Sequence, residues 1–197
     1  AGDADVRATI DGTTSCSDCE TKYDDSLNPT VTAVVPALLS GFNYESGDVP
    51  EFGVDSRMAV THSSSGAQLT KKSGGSSWNG GAGSIRSIPK ADGAGVSFET
   101  TDYHGYVMLG LSSNPRGITG KYRDIEFAWY LHSSGTAEIR EFGHSLGHVT
   151  SAYMSGTKFS VYYDDECKCV RYAYNGIVKY SSFRKVQWPM RVESSFH

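Results

Sequence analysis

Residues 124–132 read DIEFAWYLH, and this stretch decides the fold. With a period of two, Ile125, Phe127, Trp129 and Leu131 fall on one face, and Asp124, Glu126, Ala128, Tyr130 and His132 fall on the other. That is the alternation of a β-strand with one face in a core. The polar face poses the functional question. Asp124 and Glu126 are either a carboxylate pair that does chemistry or the wet side of an ordinary strand.

The same alternation recurs outward from this stretch. FGVD, RMAVTH and AQLTKK precede a Gly/Ser-rich run, SGGSSWNGGAGS. GVSFET, GYVMLGLSS, TAEIREFG, KFSVYYDD, KCVRYAYNGIVKYSS and VQWPMRVESSF complete the series. Turn residues separate them at short, fairly regular intervals, which predicts an antiparallel sandwich or barrel. In YNGI (174–177), Asn175-Gly176 supplies the positive φ angles of a type I′ turn, so a hairpin is expected there. HSSGT (132–136) predicts a second, slightly longer hairpin loop. The glycines of WNGGAGS (78–84) read as a loop crossing between sheets, and lack the Lys-Ser/Thr of a phosphate-cradling loop. No long amphipathic helix and no internal repeat is visible.

A chain of 197 residues suits one large domain, or one domain with an arm. Twelve tyrosines and many β-branched residues favour strands over helices. A net charge of −4 without a basic stripe argues against nucleic acid, and Lys71–Lys72 and Arg184–Lys185 read as solvated surface pairs. The longest apolar run, VTAVVPALLSGF, is too short to span a membrane as a helix and is broken by Pro36. A small first residue, in AGDADV, fits cleavage after a signal peptide and gives an expectation of export, to the secretory pathway or the extracellular space.

Residues 1–49 read as a polar arm with one short strand, and residues 50–197 as the sandwich. The first thirty residues are rich in Asp, Thr and Ser and show no apolar periodicity. The arm's one sticky segment, within Thr30–Leu39, carries Val31, Val34, Val35, Leu38 and Leu39. Such a segment is suited to joining subunits by adding to a neighbour's sheet edge, or to folding back on its own sheet. The four cysteines form two groups, Cys16 with Cys19 and Cys167 with Cys169. On one strand Cys167 and Cys169 would point the same way, so each is expected to bridge to Cys16 or Cys19, stapling the arm to the domain. The rival is a four-cysteine zinc site.

The order from SSWNGGAGSIRSI through GVSFET, YVMLGLSS and DIEFAWYL to AEIREFG, FSVYYDD and VRYAYNGIVKYSS resembles the concanavalin A-like lectin/glucanase superfamily. Within it, the strand ends resemble SPRY-like modules of extracellular and surface proteins: Gly110–Ser112, Asp124–Glu126, Arg140–Gly143 and Tyr172–Gly176. The likeness covers roughly residues 76–183. It implies an all-β, two-sheet antiparallel jelly-roll sandwich, here with an extended N-terminal arm. It also implies a face that in some members binds or cleaves glycans, while others bind proteins or are structural.

The glucanase branch has an E-x-D-x-x-E strand, and retention at a sugar centre needs two carboxylates about 5–5.5 Å apart. DIEFAWYLH has two acids where that motif has three, so no catalysis is expected. A hairpin closing through Ser133–Gly135 places Tyr130 opposite Glu138 and Ala128 opposite Arg140. Arg140 then lies diagonal to Glu126, within reach of an ordinary cross-strand ion pair. A glycan site would draw on Tyr130, His132, Tyr103, His104 and Tyr106, with Glu138 or Asp124 accepting from hydroxyls. Asp164, Asp165 and Glu166 form an acidic turn that could hold Ca²⁺ but lacks the EF-hand spacing. His144 and His148 have the spacing of a helical metal pair but sit among glycines, where a loop is the better reading. No resident cofactor is expected. The sequence thus favours a non-catalytic secreted structural or interaction module, partnering itself or another extracellular protein. A lectin-like glycan-binding domain is the alternative, and a glycoside hydrolase the third.

Overall fold

The structure, a computed structural model, describes residues 51–63, 66–100, 105–113, 121–148 and 152–197 and the backbone of 32–38. Cys16, Cys19, Val31, Leu39, Tyr103 and His104 lie outside the described residues, as does most of the expected arm.

The described residues form an antiparallel jelly-roll sandwich of two seven-stranded sheets. In spatial order the first sheet is β13 (Ile177–Ser182), β12 (Cys169–Tyr174), β11 (Lys158–Asp164), β6 (Gly95–Thr100), β1 (Thr32–Leu38), β4 (Gly66–Lys71) and β3 (Met58–Ser63). The second is β10 (His144–His148), β9 (Ala137–Glu141), β8 (Phe127–Leu131), β7 (Val107–Ser112), β14 (Arg191–Phe196), β5 (Gly80–Ser84) and β2 (Phe52–Val54).

The period-two pattern does the sorting. Phe127, Trp129 and Leu131 of β8 join Leu109, Leu111, Ile139, Val192 and Phe196 on the inner face of the second sheet. Phe98, Phe159, Val161 and Tyr172 meet them from the first. Polar atoms that this packing buries are paired across the two sheets. The Trp129 indole N–H donates to the Ser160 carbonyl at 3.0 Å, and the Tyr172 hydroxyl to Glu141 at 3.2 Å. Losing the Trp129 side chain from so closed a site would cost roughly 3–5 kcal/mol.

Both hairpins form where turn chemistry places them. Asn175 and Gly176 hold φ of 48° and 78°. Gly135, at φ 78°, closes the loop that sets Tyr130 opposite Glu138 and Ala128 opposite Arg140.

Elsewhere packing overrides the local signals. The strand in DIEFAWYLH begins only at Phe127; Tyr122–Asp124 is a 3₁₀ turn, so Asp124 and Glu126 precede the strand rather than line it. Ile125 leaves the main core and packs with Met108, Ala128 and Tyr130 on the opposite side of the sheet. Gly80–Ser84 is no crossing loop but a fully buried strand between β14 and β2. A Cβ at Gly80 would sit 2.8 Å from the Met58 sulfur and 3.3 Å from the Lys71 side chain, so even an alanine there would have to displace the Met58 side chain.

His144–His148, read as a loop, is instead strand β10, turned back onto β9 by Phe142 and Gly143 at φ of 51° and 78°. The sticky segment of the arm supplies an interior strand. β1, which carries Val34, Val35 and Leu38, pairs with β4 on one side and β6 on the other, which leaves neither edge for a neighbouring molecule.

Cys167 and Cys169 are joined to each other, not to Cys16 or Cys19, with their Cα atoms 5.2 Å apart. Cys167 lies in the β11–β12 turn rather than on a strand, and Lys168 at φ 54° folds the chain so that the two sulfurs meet. The bond also removes two of the four thiolates a zinc site would use.

Candidate functional site

The outer face of the second sheet, turned away from the core, gathers the side chains with chemistry. Strand register aligns two rows across it. One runs Glu138, Tyr130, Met108, Ser195, Gly81 and the other Arg140, Ala128, Gly110, Glu193, Gly83, Gly53. An aromatic group lies over the first row. Trp78, Tyr106 and Tyr122, all partly exposed, pack on Met108, Ile125, Ala128 and Tyr130. The Trp78 ring centroid is 5.3 Å from Tyr122, 5.4 Å from Tyr130 and 5.5 Å from His197. The Tyr130 and His132 rings meet at a tilt of 37°, their centroids 4.0 Å apart. The face expected to be wet is therefore mostly covered: Ala128 is buried and Tyr130 is 9% exposed.

Several elements fix this arrangement. β7, β8 and β9 hold Tyr130, Glu138 and Arg140 in ladder register. Trp78 is carried by the connection after β4, and the Lys71 ammonium braces it by donating to the carbonyls of Gly75 (2.8 Å) and Ser77 (2.7 Å). Burial and nearby Arg57 lower the Lys71 pKa, partly offset by Asp55. Burial, with help from Lys71, lowers that of His197.

Beside the aromatics stands a charged pair. The Arg140 guanidinium donates to Glu138 and lies 4.4 Å from the centre of the Tyr130 ring. Ser145 donates to the other Glu138 oxygen at 3.0 Å, and His132 Nε2 is 3.7 Å from it. Burial alone would raise the Glu138 carboxyl, but the hydrogen bonds from Arg140 and Ser145, together with the charges of Arg140 and His132, hold the pKa below the usual value. Burial pushes the Tyr130 phenol up to about 12, against the pull of Arg140. At neutral pH the site thus presents a neutral phenol, a fixed carboxylate and a guanidinium. Glu138 is buried and held by Arg140 and Ser145, so the group that can meet a polar ligand lying on the rings is the half-buried Arg140 guanidinium.

The expected residues divide in two. Tyr130, His132, Glu138 and Arg140 come together. Asp124 and Glu126 stand apart, toward β14. Glu126 accepts from the Ser113 hydroxyl, and the Asp124 carbonyl from Ser112 at 3.2 Å. The expected Arg140–Glu126 ion pair gives way to Arg140–Glu138 within β9, because the chain leaves strand geometry before Phe127.

Glu193, missed from sequence, lies near these two acids. Burial, together with the negative charges of Asp124 and Glu126, raises its carboxyl to about 7 against a hydrogen bond from Ser112 and the charge of Arg191. Trp78, Tyr122 and His197 were missed as well. Trp78 had one signal, a lone large aromatic in a Gly/Ser-rich run; Glu193 had none, since VESSF reads as an ordinary strand end.

The acidic turn is engaged internally. Asp164 pairs with Arg171 at 2.6 Å and caps the backbone N–H groups of Glu166 and Cys167, while Asp165 pairs with Lys168 at 2.7 Å. Among the described residues, no group of three or more His, Cys, Asp and Glu is placed to hold a metal ion. No helix among them is long and apolar enough to cross a membrane.

No family model matches the chain, and no curated protein matches it. Among solved structures it is similar to the Emp47p carbohydrate recognition domain, at 12% identity and a TM-score of 0.45, over 89% of this chain and 90% of that one. At that distance the likeness leaves ligand and function to be argued from the site.

Proposed function

We propose that this chain is a non-catalytic, lectin-like carbohydrate-binding module of the concanavalin A-like kind, acting in the secretory pathway or outside the cell. The observation that carries it is the partly exposed aromatic group of Trp78, Tyr106 and Tyr122, packed on the outer face of the second sheet beside the Glu138–Arg140 pair. A sugar ring offers an apolar C–H face to such a surface and hydroxyl oxygens to the guanidinium at its border, which Glu138 holds in place. A disulfide between Cys167 and Cys169 supports an oxidising compartment. The finer SPRY-like likeness rests on strand and turn order alone and adds no ligand.

The test is a glycan array with the full chain, repeated with Trp78→Ala and Arg140→Ala. Binding should fall at least tenfold for Trp78→Ala with the circular dichroism spectrum unchanged. An array that stays silent, or a Trp78→Ala protein that binds as well as the parent, sinks the proposal. Incubation with β-glucans should release no reducing ends. If it does, and Glu126→Gln abolishes the release, the module is an enzyme.

A further inference from the structure

Among the described residues, β13 is the outer strand of the first sheet, and no strand pairs with its far side. Its exposure is unusual for an edge: Ile177 is 62%, Val178 36% and Tyr180 39% exposed, and Phe183 just beyond is 76% exposed. Edge strands present unpaired N–H and C=O groups, and one this apolar calls for a cover.

Charge indicates what that cover is. Residues 170–185 hold four cations, Arg171, Lys179, Arg184 and Lys185, and no acid, in a chain of net charge −4. Arg171 is engaged by Asp164 and Arg184 by Glu141. Lys185 and Lys158 are exposed, and Lys179 reaches over the Tyr174 ring at 5.8 Å. Residues 1–31 are the complement: Asp3, Asp5, Asp11, Asp18, Glu20, Asp24 and Asp25 stand against Arg7 and Lys22.

Topology brings the two within reach. Ala33 lies opposite Thr100, Lys158 opposite Glu99, Phe159 opposite Tyr174, and Tyr174 opposite Ile177. The starts of β1 and β13 are therefore at the same end of the first sheet. They are four strand spacings apart, about 19 Å at roughly 4.8 Å each. A run of this length spans several times that distance.

We propose that residues 1–31 dock in cis along β13, adding a strand to the sheet edge with their acids facing Lys179 and Lys185. Backbone hydrogen bonds would give the contact its register, and the charge pairing its preference for this edge over the others.

The experiment places the photocrosslinker p-benzoylphenylalanine at Val178 in the full chain, and separately at Tyr180 so that one poorly folded variant does not decide the matter. Illumination followed by peptide mass mapping should give intrachain links to residues 1–31 in the monomer band. Lys179→Glu combined with Lys185→Glu, or 1 M salt, should cut the yield roughly three- to tenfold. Links into a second copy, links confined to residues 51–197, or a yield indifferent to both salt and charge reversal would each overturn the proposal.

Discussion

Glu193 offers the sharpest quantitative test of the outer face. Its side chain is 7% exposed and lies opposite Gly110 and Gly83, with Asp124 and Glu126 adding negative potential. Burial and those two charges move its carboxyl from 4.5 to about 7. Between those values the folded protein keeps a proton that the unfolded chain has released, so stability falls as pH rises and the loss is complete above 7. At about 1.4 kcal/mol per pH unit, the full cost is about 3 kcal/mol. Glu193→Gln keeps the shape and a partner for Ser112 without the charge. The variant should therefore gain on the parent by roughly 2–3 kcal/mol between pH 5 and pH 8, and the two should converge toward pH 4.5. Urea denaturation of both proteins across that range, with equal m-values, reads the difference directly. Other titrating groups cancel in the comparison. A parent–variant difference flat to within about 0.5 kcal/mol would show that Glu193 is not ionising in a buried, acid-flanked position.

Three further outcomes follow from particular contacts. Gly110→Ala would place a Cβ 1.9 Å from the Phe127 carbonyl oxygen and 2.7 Å from the Ala128 Cα, in the backbone of the adjacent strand. It should cost about 3 kcal/mol or more and lower Tm by on the order of 10 °C; a variant as stable as the parent would contradict the β7–β8 spacing. A non-reducing peptide map should recover Cys167 and Cys169 bridged within one peptide. Reducing so short a loop should cost only about 1–2 kcal/mol, and a bridge to Cys16 or Cys19 would contradict the turn at Lys168. Arg184→Ala removes the cation 2.7 Å from Glu141, which is 1% exposed and otherwise meets the Tyr172 hydroxyl. Chemical denaturation should show a loss of roughly 1–3 kcal/mol, and no loss would mean that water reaches Glu141.

Much of the fold was legible in the sequence because strand period and turn chemistry are local. Alternation sent Phe127, Trp129 and Leu131 inward, and Asn175-Gly176 made its hairpin. The loop through Ser133–Gly135 fixed Tyr130 opposite Glu138 and Ala128 opposite Arg140. These outcomes need only neighbouring residues, since side-chain direction and positive φ are decided within a turn or a strand pair.

What covers a face is decided at long range, and there the tertiary structure overruled the pattern. Tyr130 sits on the polar side of its strand, yet Trp78 from the connection after β4 and Tyr106 at the entry to β7 lie over it. Gly80–Ser84 reads as a loop by composition, yet pairing with β14 and β2 makes it a fully buried strand. Glu193 looks like any strand glutamate until Asp124 and Glu126 arrive beside it from another part of the chain. Periodicity thus determined which side chains share a face. Burial and charge across strands distant in sequence determined that this face is an aromatic and ionic site rather than a wet surface.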